Sequence, residues 1–166
     1  GWKMSELKTK EVKLKNIEIK NLFDFLNKVA SERGVSKEVT KCVLANLTGL
    51  EQIYVEVMSG VFNPETDQNV AKYKKEIQQL QLQFADKDEK GEIITHQGKL
   101  QITTNFADYE KAVKELNVKY AQVIQMINNA PAYNQQYMNN EREVKLSYLD
   151  SYPDETHPLL VYYLSK

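Results

Sequence analysis

The residues best suited to recognition chemistry lie late in the chain, in Tyr133-Asn134-Gln135-Gln136-Tyr137-Met138-Asn139-Asn140. Tyrosine brings flat contact area at low entropic cost, and asparagine and glutamine bring adaptable donors and acceptors. That mixture suits a protein partner or a stacked base. Six of the ten tyrosines follow Pro131. Tyr133, Asn134, Gln136, Tyr137, Asn140, Tyr148 and Tyr152 are therefore the candidate binding residues.

Other reactive side chains are sparse. His96 and His157 are the only histidines and neither stands in a nucleophile motif, so exposed or capping roles are expected of both. The single cysteine, Cys42, lies among Val39, Val43 and Leu44, the setting of a buried, inert thiol. One cysteine supports neither a disulfide framework nor a thiolate metal site. Asp86-x-Asp88-x-Lys90-Gly91 imitates the start of a calcium loop. However, Lys90 puts a cation where a ligand oxygen belongs, and Gln97 stands where a bidentate carboxylate is needed. A solvated turn is the expectation there. The six glycines are scattered singly, so no phosphate-cradling loop is present. No catalytic constellation, metal site or cofactor is expected from these residues.

The elements that hold these residues can be read from periodicity. Val70, Tyr73, Ile77, Leu80 and Phe84 keep 3-4 spacing, and so do Phe106, Tyr109, Val113, Leu116, Tyr120, Val123 and Ile127. Each set forms one stripe of a helix, and two stripes joined by a short connection predict an antiparallel helical hairpin. The seams form an intramolecular core, or in part an intermolecular surface that gives a helical dimer or a partner groove. Between them, Ile93-Ile94-Thr95 and Leu100-Gln101-Ile102-Thr103 flank Gln97-Gly98 as a β-hairpin. Asn63-Pro64-Glu65 predicts the start of the first long helix, and Asn128-Asn129-Ala130-Pro131 the end of the second.

Nearer the N-terminus, Val12 to Ile19 alternates as a half-buried strand whose one-residue slip at Asn16 reads as a bulge. Asn21 then caps a short helix that stops at Gly34, and Ser36 caps another with the stripe Val39, Val43, Leu47, Leu50, Tyr54, Val57 and Val61. Val144, Leu146 and Tyr148 alternate as a late strand able to pair with the first. Pro158–Leu164 is an apolar segment, helix or strand. The predicted class is α+β, mainly α: a helical hairpin or bundle, a β-hairpin between its long helices, and a small sheet joining the N- and C-terminal strands.

The chain has 166 residues, 42% of them hydrophobic, which predicts one domain with a true core over residues 4–166. Gly1-Trp2-Lys3, ahead of Met4, are set aside from the fold. Net charge is −1 with both signs interspersed, so no basic field exists to hold nucleic acid in general. The lysines between Lys8 and Lys20 form a local patch or, more simply, the solvated guard of a strand edge. No apolar run reaches the length of a membrane span and no signal peptide opens the chain, so a cytoplasmic location is expected. Arg33 and Arg142 are the only arginines, and asparagine and lysine abound, a bias typical of low-GC genomes.

Leu14-Lys15-Asn16-Ile17-Glu18-Ile19, the stretch from Asp86 to Ile94, and Glu143-Val144-Lys145-Leu146 carry a resemblance across most of the chain. In the order of its elements the chain resembles an uncharacterised family of small proteins from phages of low-GC Gram-positive bacteria. The resemblance implies a phage source and the interior of a bacterial host cell; it implies no functional residues. Together with the tyrosine-rich tail, it leads to the expectation of a non-enzymatic binding protein acting on a host or phage protein, in one form by inhibiting a bacterial defence system. A nucleotide-signal sponge and a virion or tail assembly chaperone, the latter an obligate homo-oligomer, are the alternatives.

Overall fold

The computed structural model describes residues 7–166, so Gly1-Trp2-Lys3 and the expected domain start at Met4 lie outside the described residues. In chain order the elements are β1 (Lys8–Lys15), α1 (Asn16–Ala30), α2 (Lys37–Ser59), α3 (Gln68–Phe84), β2 (Thr95–His96), β3 (Lys99–Leu100), α4 (Phe106–Lys119), α5 (Ala121–Asn128), α6 (Ala130–Asn139), β4 (Glu141–Tyr148) and α7 (Pro158–Tyr163). The fold is mainly helical α+β, as its patterning predicts. The chain groups into two compact units: the residues up to Val61 together with Asn134–Lys166, and Phe62–Tyr133.

In the first unit β1 and β4 pair antiparallel, with Val12 opposite Val144 and Lys8 opposite Tyr148. The two ends of the chain thus form one ribbon. One face is apolar, with Leu14, Val144 and Leu146 buried and α2 packed against β4. The other face sets Lys15 opposite Glu141, Lys13 opposite Glu143 and Glu11 opposite Lys145, so each facing pair is of opposite charge. Ile19, Leu22, Leu26 and Val29 of α1 meet Val39, Val43, Leu50 and Val57 of α2 in the core, joined by Leu160 and Leu164. Fully burying each such side chain contributes about 1.5–3 kcal/mol.

Several boundaries differ from the sequence reading. The strand does not continue to Ile19; it ends at Lys15, and Ile17-Glu18-Ile19 is helical. The buried set Asn16, Ile19, Leu22, Leu26, Val29 has helical spacing, and the Glu18 carboxylate accepts the Lys15 N–H at 3.0 Å. The slip at Asn16 is therefore a change of period from 2 to 3.6, not a bulge. Asn21 lies inside α1 rather than at its cap, and Gly34 (φ +81°) sits in the following loop, beyond the helix end at Ala30. Ser36 does cap α2, its hydroxyl accepting the Val39 N–H at 3.3 Å.

In the second unit Asn63-Pro64-Glu65 is a turn and not a helix start. The Asn63 side chain accepts the Glu65 N–H, and α3 begins only after Asp67, whose carboxylate accepts from Asn69 and Val70. Side chains that hydrogen-bond the backbone two residues on compete with helix, which is why the proline signal misleads. The two stripes do pack against each other: Tyr73 and Tyr120 lie 5.3 Å apart, Phe84 and Tyr109 6.2 Å, and the Tyr73 hydroxyl donates to Asn117 at 2.6 Å. The second stripe is not one helix, however. It breaks at Tyr120 and ends at Asn128, within the expected Asn128–Pro131 stop, after which α6 begins at Ala130 with Pro131 in its first turn. Between the long helices Gln97 and Gly98 both have positive φ, the two-residue turn that joins β2 to β3.

Candidate binding surface

The predicted recognition residues separate into two groups. Tyr133 and Gln136 are exposed on α6 and Asn134 is half-buried there; Asn140, just after α6, is exposed, while its carbonyl accepts the Asn16 N–H at 2.9 Å. The segment is a helix, not a loop. Its third tyrosine works internally. The Tyr137 hydroxyl donates to the Val57 carbonyl at 2.9 Å, and a Cβ at position 60 would fall within its ring, so only glycine fits there. Tyr148 is buried on the inner face of β4 with the Lys10 ammonium 5.9 Å from its ring centre. Tyr152 is half-buried; its hydroxyl donates to the Leu164 carbonyl and lies 3.8 Å from the Cys42 sulfur. Tyr137 and Tyr152 thus engage their hydroxyls within the fold, and Tyr148 is buried, in place of the open faces their sequence context suggests.

Cys42 is fully buried, and burial pushes its thiol above the ordinary value. Beside it Asn46 does the work of a strand. Its amide oxygen accepts the Ser147 N–H at 2.8 Å and its amide nitrogen donates to the Ser147 carbonyl at 2.9 Å, closing the outer edge of β4 at that residue. No spacing rule marks such a role. A buried polar residue inside an apolar helical stripe is the available signal.

His157 caps α7: its Nδ1 accepts the Leu159 N–H at 3.1 Å, and its ring lies 4.8 Å from Phe25. It borders a cleft of about 540 Å³ floored by Val29, Val39 and Leu160, with Arg33 and Glu155 at the rim. A second groove, about 340 Å³, is lined by Val12, Leu14 and Leu146 with Tyr162 and Tyr163 as its wall. In the calcium-like loop Asp86 accepts from the Thr103 and Thr104 amides at 3.1 and 3.2 Å and from the Thr103 hydroxyl, which holds its carboxyl below the ordinary range. Asp88 accepts from Lys90 and Glu92. These carboxylates are occupied as backbone ties.

The heptad seams stay partly open. Of the seam side chains only Val70 is buried; Tyr73 to Phe84 and Tyr109 to Ile127 are half-buried, and Phe106 is 51% exposed. Among the described residues no helix is long and apolar enough to cross a membrane. No family model, curated protein or solved structure matches this chain.

Proposed function

We propose that this chain is a non-enzymatic, phage-encoded binding protein of the host-cell cytoplasm that engages a host or phage protein, and that it does so to blunt a bacterial defence system. The observation that supports this reading best is the state of the hairpin seams. A closed two-helix core would bury its a and d positions, whereas here regularly spaced aromatic and aliphatic side chains stay half open along both helices. Such a stripe suits the helix-in-groove mode of protein recognition, with anchors at i, i+3, i+4 and i+7. Tyrosines within it supply contact area while keeping a wet hydroxyl. The nucleotide-sponge alternative has less support, because Tyr148 and Tyr152 spend their rings inside the fold.

The test is affinity capture from a phage-infected low-GC Gram-positive lysate, comparing the natural chain with Phe106→Glu. Phe106 is half exposed, so the substitution leaves the fold intact while placing a charge on the seam. A stoichiometric partner recovered with the natural chain and lost with the variant is the expected result. Equal recovery with both removes the seam from recognition.

A further inference from the structure

We propose that the outer edge of β1 is a docking site for an extended acidic segment of a partner protein, which adds to the ribbon as a third strand. Hydrogen-bond direction supplies the first observation. Ser147 turns both its N–H and its C=O toward Asn46, away from β1. In an antiparallel pair the residue opposite must then turn its own groups the other way, and alternate residues follow suit. Thr9 is opposite Ser147. Thr9, Glu11 and Lys13 therefore aim their backbone groups outward from the ribbon. Lys15 obeys the same rule, since its outward N–H is the one taken by Glu18, while Asn16, of the other parity, donates to Asn140. No described residue pairs with the outward groups of Thr9, Glu11 and Lys13, and all three residues are exposed. Unpaired edge groups of this kind are a template for another strand.

A groove gives the guest somewhere to put its side chains. The 340 Å³ groove is lined by Lys13 from the polar face of β1 and by Val12 and Leu14 from its apolar face, so it wraps the free edge. Tyr162, 72% exposed, and Tyr163 wall it, their rings packed edge to face at 4.9 Å. Alternate side chains of an added strand would reach this wall, the arrangement that gives strand addition its specificity.

Charge selects the occupant. β1 carries Lys8, Lys10, Lys13 and Lys15 against Glu11; Lys8 is paired with Asp150 at 2.6 Å and Glu18 joins Lys10 and Lys13 in the groove, so the edge keeps a small net positive charge. A second copy docking edge to edge would bring together two strands that each carry net positive charge, which is unfavourable. An acidic strand meets the opposite sign. This surface involves no residue of the hairpin seams, so its failure leaves the seam reading untouched, and the converse holds.

The experiment uses the full ¹⁵N-labelled chain and three capped eight-residue peptides. One alternates Glu with Val, one alternates Lys with Val, and the third is the Glu peptide with alternate amides N-methylated. The Glu peptide should bind, slow amide exchange at Thr9, Glu11 and Lys13, and bind at least about tenfold more tightly than the Lys peptide. Its N-methylated form, unable to donate along one edge, should lose binding at the same sites. Lys13→Gln and Tyr162→Ala, both at exposed positions, should each weaken the Glu peptide severalfold with little change in melting temperature, since a neutral side chain opposite Glu143 avoids like-charge repulsion. Unaltered exchange at those three amides, equal binding of the Lys peptide, equal binding of the N-methylated peptide, or β1 amides protected by self-association as protein concentration rises would each overturn the proposal.

Discussion

At Gly60 a single missing carbon decides how α2 ends. The Tyr137 ring occupies the space a Cβ would need, and its hydroxyl closes onto the Val57 carbonyl, one of the acceptors that a helix terminus leaves over. Gly60→Ala should destabilise the chain by about 1–3 kcal/mol, the usual cost of overpacking. In a Tyr137→Ala background the same change should cost under about 0.5 kcal/mol. A double-mutant cycle by urea denaturation measures the difference; equal penalties in both backgrounds would show that the ring is not what glycine accommodates. Cys42 and Tyr152 predict a pH effect. Burial raises both groups above their ordinary values of 9.0 and 10.0, so the folded state keeps protons that the unfolded chain gives up. Their stabilisation is complete below about pH 9 and is lost as pH rises beyond it. The urea midpoint should therefore fall between pH 9 and 11, and Tyr152→Phe should flatten the part of the fall above pH 10. Of these roles, only the burial of Cys42 could be read from its neighbours in the chain. Tyr137 meeting Gly60 is a contact between segments far apart in sequence.

Helix starts show the reach of local chemistry and where it ends. Ser36 is legible because a hydroxyl before an apolar stripe has one good use there. Asp67 was overshadowed by Pro64, although Asp67 accepts two amides at the true start of α3. Asp67→Ala should cost about 1 kcal/mol and lower the melting temperature by roughly 2–4 °C for a chain of this size. A differential scan checks it, and an unchanged melting point would return the start of α3 to the proline. The second seam reads as one helix because its spacing persists across Tyr120. Spacing records which face is apolar but not whether each backbone hydrogen bond is made, so it cannot reveal the break at Tyr120, whereas the end at Asn128 is legible in Asn128-Asn129-Ala130-Pro131.

The contiguous hydrophobic core belongs to the unit built on β1, α1, α2, β4 and α7. In Phe62–Tyr133 only Val70, Ala85 and Ala130 are buried. Local stability follows buried apolar contact, so the two units should open at different free energies. Native-state hydrogen exchange should place amides of α1, α2 and β4 in the slowest class and those of α3 and α4 in a faster one. A single exchange class across both units would contradict this. The seams proposed to bind a partner lie in the unit with less buried core, where covering them adds most. The edge of β1, by contrast, is backed by the main core and is presented as a preformed strand.

Periodicity alone determined that this chain would be mostly helical, that two amphipathic helices would lie antiparallel around a tight Gln-Gly hairpin, and that its first and last strands would match. These are properties of repeating patterns, and a pattern needs no knowledge of what lies across from it. Tertiary structure alone decided that Tyr137, Tyr148 and Tyr152 turn inward, that Asn46 stands in for a strand, and that the backbone groups of Thr9, Glu11 and Lys13 meet no partner among the described residues. The physical reason is the same throughout: whether a polar group faces solvent or a partner depends on residues brought close only by folding.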